Sequence, residues 1–163
     1  MVQRLQTIEQ GNHIIAVYPT KDERYNEAFA FLKEGLKRNE VVIITTTDLP
    51  KDEIRARMRD EWEVDVAELE SRGDIIIRTT EEVYFPDGVP NIQRTKALWS
   101  TLVENCLNKE KRGLRVLETW EHFSRMALPK NYSNTNHVWN KDLTFLLSAY
   151  VHMILKISVI ILH

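Results

Sequence analysis

A chain of 163 residues with 43% hydrophobic and 28% charged side chains has the make-up of one globular domain, and at that size about 70% of the unfolded chain's surface can be buried without a metal or disulfide staple. Lys and Arg number 22 against 24 Asp and Glu, for a formal charge of −2, so the basic footprint of a direct nucleic-acid binder is missing. Cys106 is the only cysteine, which excludes an internal disulfide; on the apolar stripe of an expected helix it reads as a buried thiol, not a nucleophile.

Residues 1–10 read as a polar N-terminal extension without an apolar signal core, so a cytoplasmic location is expected. Gly11-Asn12 marks a turn, and His13 to Tyr18 is the first expected strand. Pro19 breaks it, and Thr20 with Glu23 three residues on has the pattern of a capping box. Tyr25, Ala28, Phe29, Leu32 and Leu36 then line one face of a helix. Val41 to Thr47 has the β-branched composition of a buried strand. Asp48-Leu49-Pro50 ends it, with Pro50 in the first turn of a helix over Lys51 to Trp62 whose apolar positions are Ile54, Met58 and Trp62.

A short helical segment over Val66 to Glu70 leads through Gly73 to a third strand, Asp74 to Thr80. Glu81 to Gly88 is expected to be a loop holding an aromatic pair, and Asn91 to cap a helix that runs to about Arg112 and stops at Gly113. Leu114 to Glu118 is the fourth strand, His122 to Asn136 a polar loop, Trp139 to Ile154 an amphipathic helix and Ile157 to Leu162 a fifth strand. The apolar stretch from Leu143 onward contains His152 and Lys156. These are costly inside a bilayer, so a buried helix and strand are expected rather than a membrane span.

Strands alternating with helices predict an α/β fold with three α/β/α layers, a mainly parallel sheet of about five strands, and one domain over residues 1–163 with its core from about residue 11. Ligands of such sheets bind outside the carboxyl ends of the strands. Three aromatics, Tyr18, Tyr84 and Trp120, fall at or just beyond those ends, with Glu118 as a polar group among them. They have the make-up of a mostly apolar small-molecule site. Thr20 and Asp48 belong to the same edge. The competing reading of the aromatics is packing beneath loops, and that of Glu118 is an ion pair with Arg115 or Arg78.

Catalytic signatures are missing. A phosphate-binding loop needs glycines and a Lys-Ser/Thr pair; here the turn after the first strand carries Pro19, and Asp22 and Glu23 at the helix start repel phosphate. Glu118, Glu121 and His122 are the only local group with metal-ligand chemistry, and no two-His motif accompanies them. No cofactor is implied.

The blocks GNHIIAVY, FLKEGLKRNEVVIITTT, SRGDIIIRTTEEVYFPDG and RGLRVLETWEHF, in that order, resemble the MEDS domain, a sensory domain of methanogen and methylotroph regulators, over roughly Gly11 to Phe123. The resemblance implies a RecA-like topology, related to clock ATPases, from which the phosphate loop has been lost. VLETW then stands in the place of a Walker B strand, with Glu118 as a remnant carboxylate. It further implies a non-catalytic cytoplasmic domain in signal transduction or transcriptional regulation that senses a small, hydrocarbon-derived ligand. A signalling or regulatory protein partner is expected, neither nucleic acid nor membrane is contacted directly, and self-association stays open. Two alternatives stand beside it: a divergent nucleotide-binding ATPase or kinase-like protein using Glu118, and an interaction module with no ligand.

Overall fold

The computed structural model describes residues 13–16, 18–89, 91–119 and 157–162, with residues 13–15, 92 and 157–162 as backbone alone. In chain order the elements are β1 (His13–Ala16), α1 (Lys21–Lys37), β2 (Val41–Thr46), α2 (Lys51–Trp62), α3 (Val66–Arg72), β3 (Ile75–Thr79), α4 (Thr80–Tyr84), α5 (Ile92–Asn108), β4 (Leu114–Thr119) and β5 (Ile157–Leu162). The expected loop at 122–136 and helix at 139–154 lie outside the described residues.

The strands form one parallel sheet in the order β1-β5-β4-β2-β3. The steps β1→β2 and β2→β3 run one way across it, and β3→β4 runs back. Right-handed crossovers therefore put α1, α2 and α3 on one face and α4 and α5 on the other. Burial follows that division. Val42 and Ile44 of β2 pack with Phe29, Leu32, Ile54, Met58 and Trp62, while Val41 and Ile43 pack with Val83, Tyr84, Trp99 and Val116. A strand whose successive residues face opposite sides, both covered, has to be apolar throughout, and β2 is buried along its whole length.

Helix α1 buries more than the single stripe expected. Arg24, Phe31 and Gly35 are buried beside Tyr25, Ala28, Phe29 and Leu32, whereas Leu36 is only partly covered. The reason lies on β4. The Arg115 side chain, fully buried, runs beneath α1 to Glu40 (Nε to Oε2 2.5 Å) and to the Phe31 carbonyl (3.2 Å), with its guanidinium 4.5 Å from the Phe31 ring centre. A Cβ on Gly35 would stand 2.6 Å from Arg115 Cδ, so only glycine lets the arginine pass.

Three sequence expectations change here. The segment after β3 is not wholly loop: Thr79 caps α4 with a complete capping box to Glu82, which winds the chain from Thr80 to Tyr84 into a helix. Helix α5 ends at Asn108, not near Arg112, because Glu110 turns left-handed (φ 54°) and the next residues are drawn to the neighbouring edge, Lys111 to Asp74 and the Arg112 N–H to the Asn39 carbonyl. Pro50 caps α2 from outside its first turn. Asn91 caps α5 as expected, its side chain accepting the Arg94 N–H. Among the described residues no helix is long and apolar enough to cross a membrane.

Candidate functional site

The carboxyl edge of β2 and β4 brings together two polar groupings, one on each face of the sheet. Thr45 stands opposite Glu118 in the parallel register, and both lie on the α4/α5 side. Glu118 is buried, at 8% exposure. Its partner is Tyr84, the last residue of α4, whose hydroxyl donates to Glu118 Oε1. Burial pushes the Glu118 carboxyl up to about 6, with the Tyr84 hydrogen bond pulling it partly back. Burial, then the adjacent carboxylate, hold the Tyr84 phenol well above its ordinary value.

Opposite Glu118, Thr45 Oγ1 has no hydrogen-bond partner among the described residues, and neither has Thr80 Oγ1 at the head of α4; both residues are buried, while Trp99 Nε1 acts on the Tyr84 hydroxyl. A buried hydroxyl without a partner costs about 1–3 kcal/mol, and native interiors hold few of them. Two such hydroxyls at the strands' carboxyl edge, one of them opposite a carboxyl whose only partner among the described residues is a phenol, are a concentration of unmet polarity. The scaffold around them is well tied. Thr95 Oγ1 donates to the Val83 carbonyl (3.2 Å), fixing α4 to α5, and Lys51 pairs with Glu82 at 2.6 Å, fixing α4 to α2.

On the α1 face the arrangement is closed. Asp48, just past β2, accepts from Arg24 and from the Tyr25 hydroxyl, both at 2.5 Å, and Lys21 Nζ lies 3.6 Å from its Oδ2. Burial first, then the Asp48 hydrogen bond and charge, raises the Tyr25 phenol far above its usual range. The positive end of α1 and its two nearest cations thus face a carboxylate of the chain itself. The sequence put the acidic character of this helix start in Asp22 and Glu23; the carboxylate held by both cations is Asp48.

The six sequence-derived candidates therefore divide. Tyr84 and Glu118 are in contact. Asp48 and Thr20 belong to the start of α1, Asp48 as an ion-paired anchor and Thr20 as the exposed N-cap accepting from the Glu23 N–H (3.2 Å). Tyr18 is half-buried against the α1/α2 core, across the sheet from Tyr84, with burial and Glu27 raising its phenol. Trp120 lies outside the described residues, as do Glu121 and His122, and among the described residues no group of three His, Cys, Asp or Glu converges as a metal site.

The ion pair of Glu118 with Arg115 or Arg78 is overturned. Residues 115 and 118 stand an odd number apart on β4, so their side chains take opposite faces; Arg115 goes to Glu40, and Arg78 is exposed. Thr45, Thr80 and Trp99 were missed by sequence reasoning. The Thr79-Thr80-Glu81-Glu82 capping box was a signal that could have found α4, and with it Thr80 and the placement of Tyr84.

Residues 12–140 match the family described as MEDS: MEthanogen/methylotroph, DcmR Sensory domain. No curated protein matches the chain.

Proposed function

Because the chain belongs to the MEDS family of sensory domains, we propose that it is a non-catalytic cytoplasmic sensor that binds a small hydrocarbon-derived ligand at the carboxyl edge of its sheet and passes occupancy to a partner in signal transduction or transcriptional control. The observation that carries this reading is Glu118: a buried carboxyl whose only partner among the described residues is the Tyr84 phenol, opposite the unpartnered Thr45 hydroxyl. Perturbed titratable groups with unmet hydrogen bonds at a strand's carboxyl end are what a binding site keeps and a structural core removes.

The reading includes a RecA-like architecture. Its support is the all-parallel sheet with helices on both faces, the first strand displaced to an edge, and VLET at the end of the central strand β4. Against phosphate chemistry stands the α1 N-terminus, where Asp48 already holds Lys21 and Arg24. Transmission would run through α4, five residues long, which connects Glu118 through Tyr84 to the protein surface at Lys51–Glu82.

A ligand that binds only the folded state raises the unfolding temperature by mass action. A thermal-shift screen of small alkyl alcohols, amines and halides is expected to stabilise the native chain and not the Glu118→Gln chain. Stabilisation by Mg-ATP with release of phosphate would overturn the reading in favour of a nucleotide-dependent enzyme.

A further inference from the structure

The ligand's chemical class can be read from what Glu118 lacks. Its carboxyl is buried, yet among the described residues no Lys, Arg or His lies within ion-pair distance of it, whereas Glu40, equally buried, has Arg115 at 2.5 Å. A buried carboxylate without a cation is the costly half of an ion pair. Its surroundings offer hydroxyls at Tyr84, Thr45 and Thr80, and the apolar surfaces of Val83, Phe85 and Trp99. Arg78, paired in register with Thr45, brings positive charge to that face of the sheet; it is exposed and acts on Glu82.

Resting on the ligand-site reading above, we infer that the site takes a small alkylammonium ion, its charged head on Glu118 and its alkyl part against Val83, Phe85 and Trp99. An ammonium supplies the missing counter-charge and donates up to three hydrogen bonds, enough for the carboxylate and the unpartnered Thr45 hydroxyl opposite it in the β2–β4 register. Aromatic faces favour the same charge. A carboxylate or phosphate ligand would be repelled by Glu118. A neutral alcohol could satisfy a hydroxyl but would leave the carboxylate uncompensated. Trp99 Nε1, a donor only, has nothing to give an ammonium; its influence falls on the Tyr84 oxygen.

The test is an NMR titration of the full chain at pH 7.5 with n-propylammonium, 1-propanol and propionate in turn. The Trp99 indole N–H signal, assigned with Trp99→Phe, is the reporter. Propylammonium is expected to shift that signal saturably and to bind about tenfold or more tightly than 1-propanol, with no response to propionate. Glu118→Gln should abolish the preference. Should that variant fold poorly, Thr45→Val should weaken propylammonium several-fold while leaving the fold intact. Equal or tighter binding of 1-propanol or propionate at Trp99 would overturn the ammonium assignment and leave the site standing. No response of Trp99 to any of the three would overturn both.

Discussion

Strand β4 carries two buried ionisable side chains three residues apart, and they are treated in opposite ways. Arg115, near the strand's amino end, lies beneath α1 with a carboxylate, a carbonyl and an aromatic ring arranged around it, and a glycine cleared from its path. Glu118, at the carboxyl end and on the other face, has among the described residues one phenol as partner and, opposite it, a Thr45 hydroxyl that bonds to none of them. The first is a charge neutralised by the fold. The second is a charge the fold leaves unneutralised, and burial raises its carboxyl accordingly. The contrast teaches that burial of a charge does not by itself single out a candidate site; a buried charge with no counter-charge among the described residues does.

That contrast can be broken from either side, and the largest effect is expected at the structural end. Glu40→Ala leaves Arg115 buried and unpaired, and should destabilise the chain by about 3–5 kcal/mol in urea unfolding. A loss below about 1 kcal/mol would mean the pair is solvated. Gly35→Ala forces a Cβ into Arg115, with an expected cost of about 1–3 kcal/mol by the same measurement. At the other end, Tyr84→Phe removes the only partner of Glu118 among the described residues. A loss of about 1–3 kcal/mol is expected at pH 7.5, shrinking toward pH 5 as the carboxyl becomes protonated. Thr45→Val deletes a hydroxyl with no partner among the described residues, so its effect should be under about 1 kcal/mol and of stabilising sign. A clear destabilisation by Thr45→Val would show that the hydroxyl does structural work.

Much of the fold was legible because it rests on local pattern. The β-branched run of β2 and the cap of α1 at Thr20 are decided by neighbours in sequence. The geometry of the candidate site was legible in part. A strand ending in Glu118 with an aromatic nearby marked one edge of the sheet, and Tyr84 does meet Glu118 there. What was not legible depends on which face a side chain takes. Tyr18 and Tyr84 both follow strands, yet the crossover directions send them to opposite sides of the sheet. Arg115 and Glu118 look like a pair in sequence and are separated by the strand's two-residue period. Thr45 and Trp99 carried no motif; only the β2–β4 register and the packing of α5 bring them beside the carboxyl.

The most direct test compares the stability of the native and Glu118→Gln chains as a function of pH. Glu118 is raised in the folded state from its ordinary 4.5 to about 6, so the native chain binds the extra proton more tightly folded than unfolded. Its stability therefore falls as pH rises from about 4.5 to 6, and the cost is fully present above that range. Glutamine keeps an acceptor for Tyr84 without the charge. The substituted chain should match the native one near pH 4.5 and exceed it by about 2 kcal/mol at pH 7.5, while losing ligand-induced stabilisation. A Glu118→Gln chain less stable than the native one at pH 7.5 would contradict the account, because it would mean that the carboxylate is held by the fold after all.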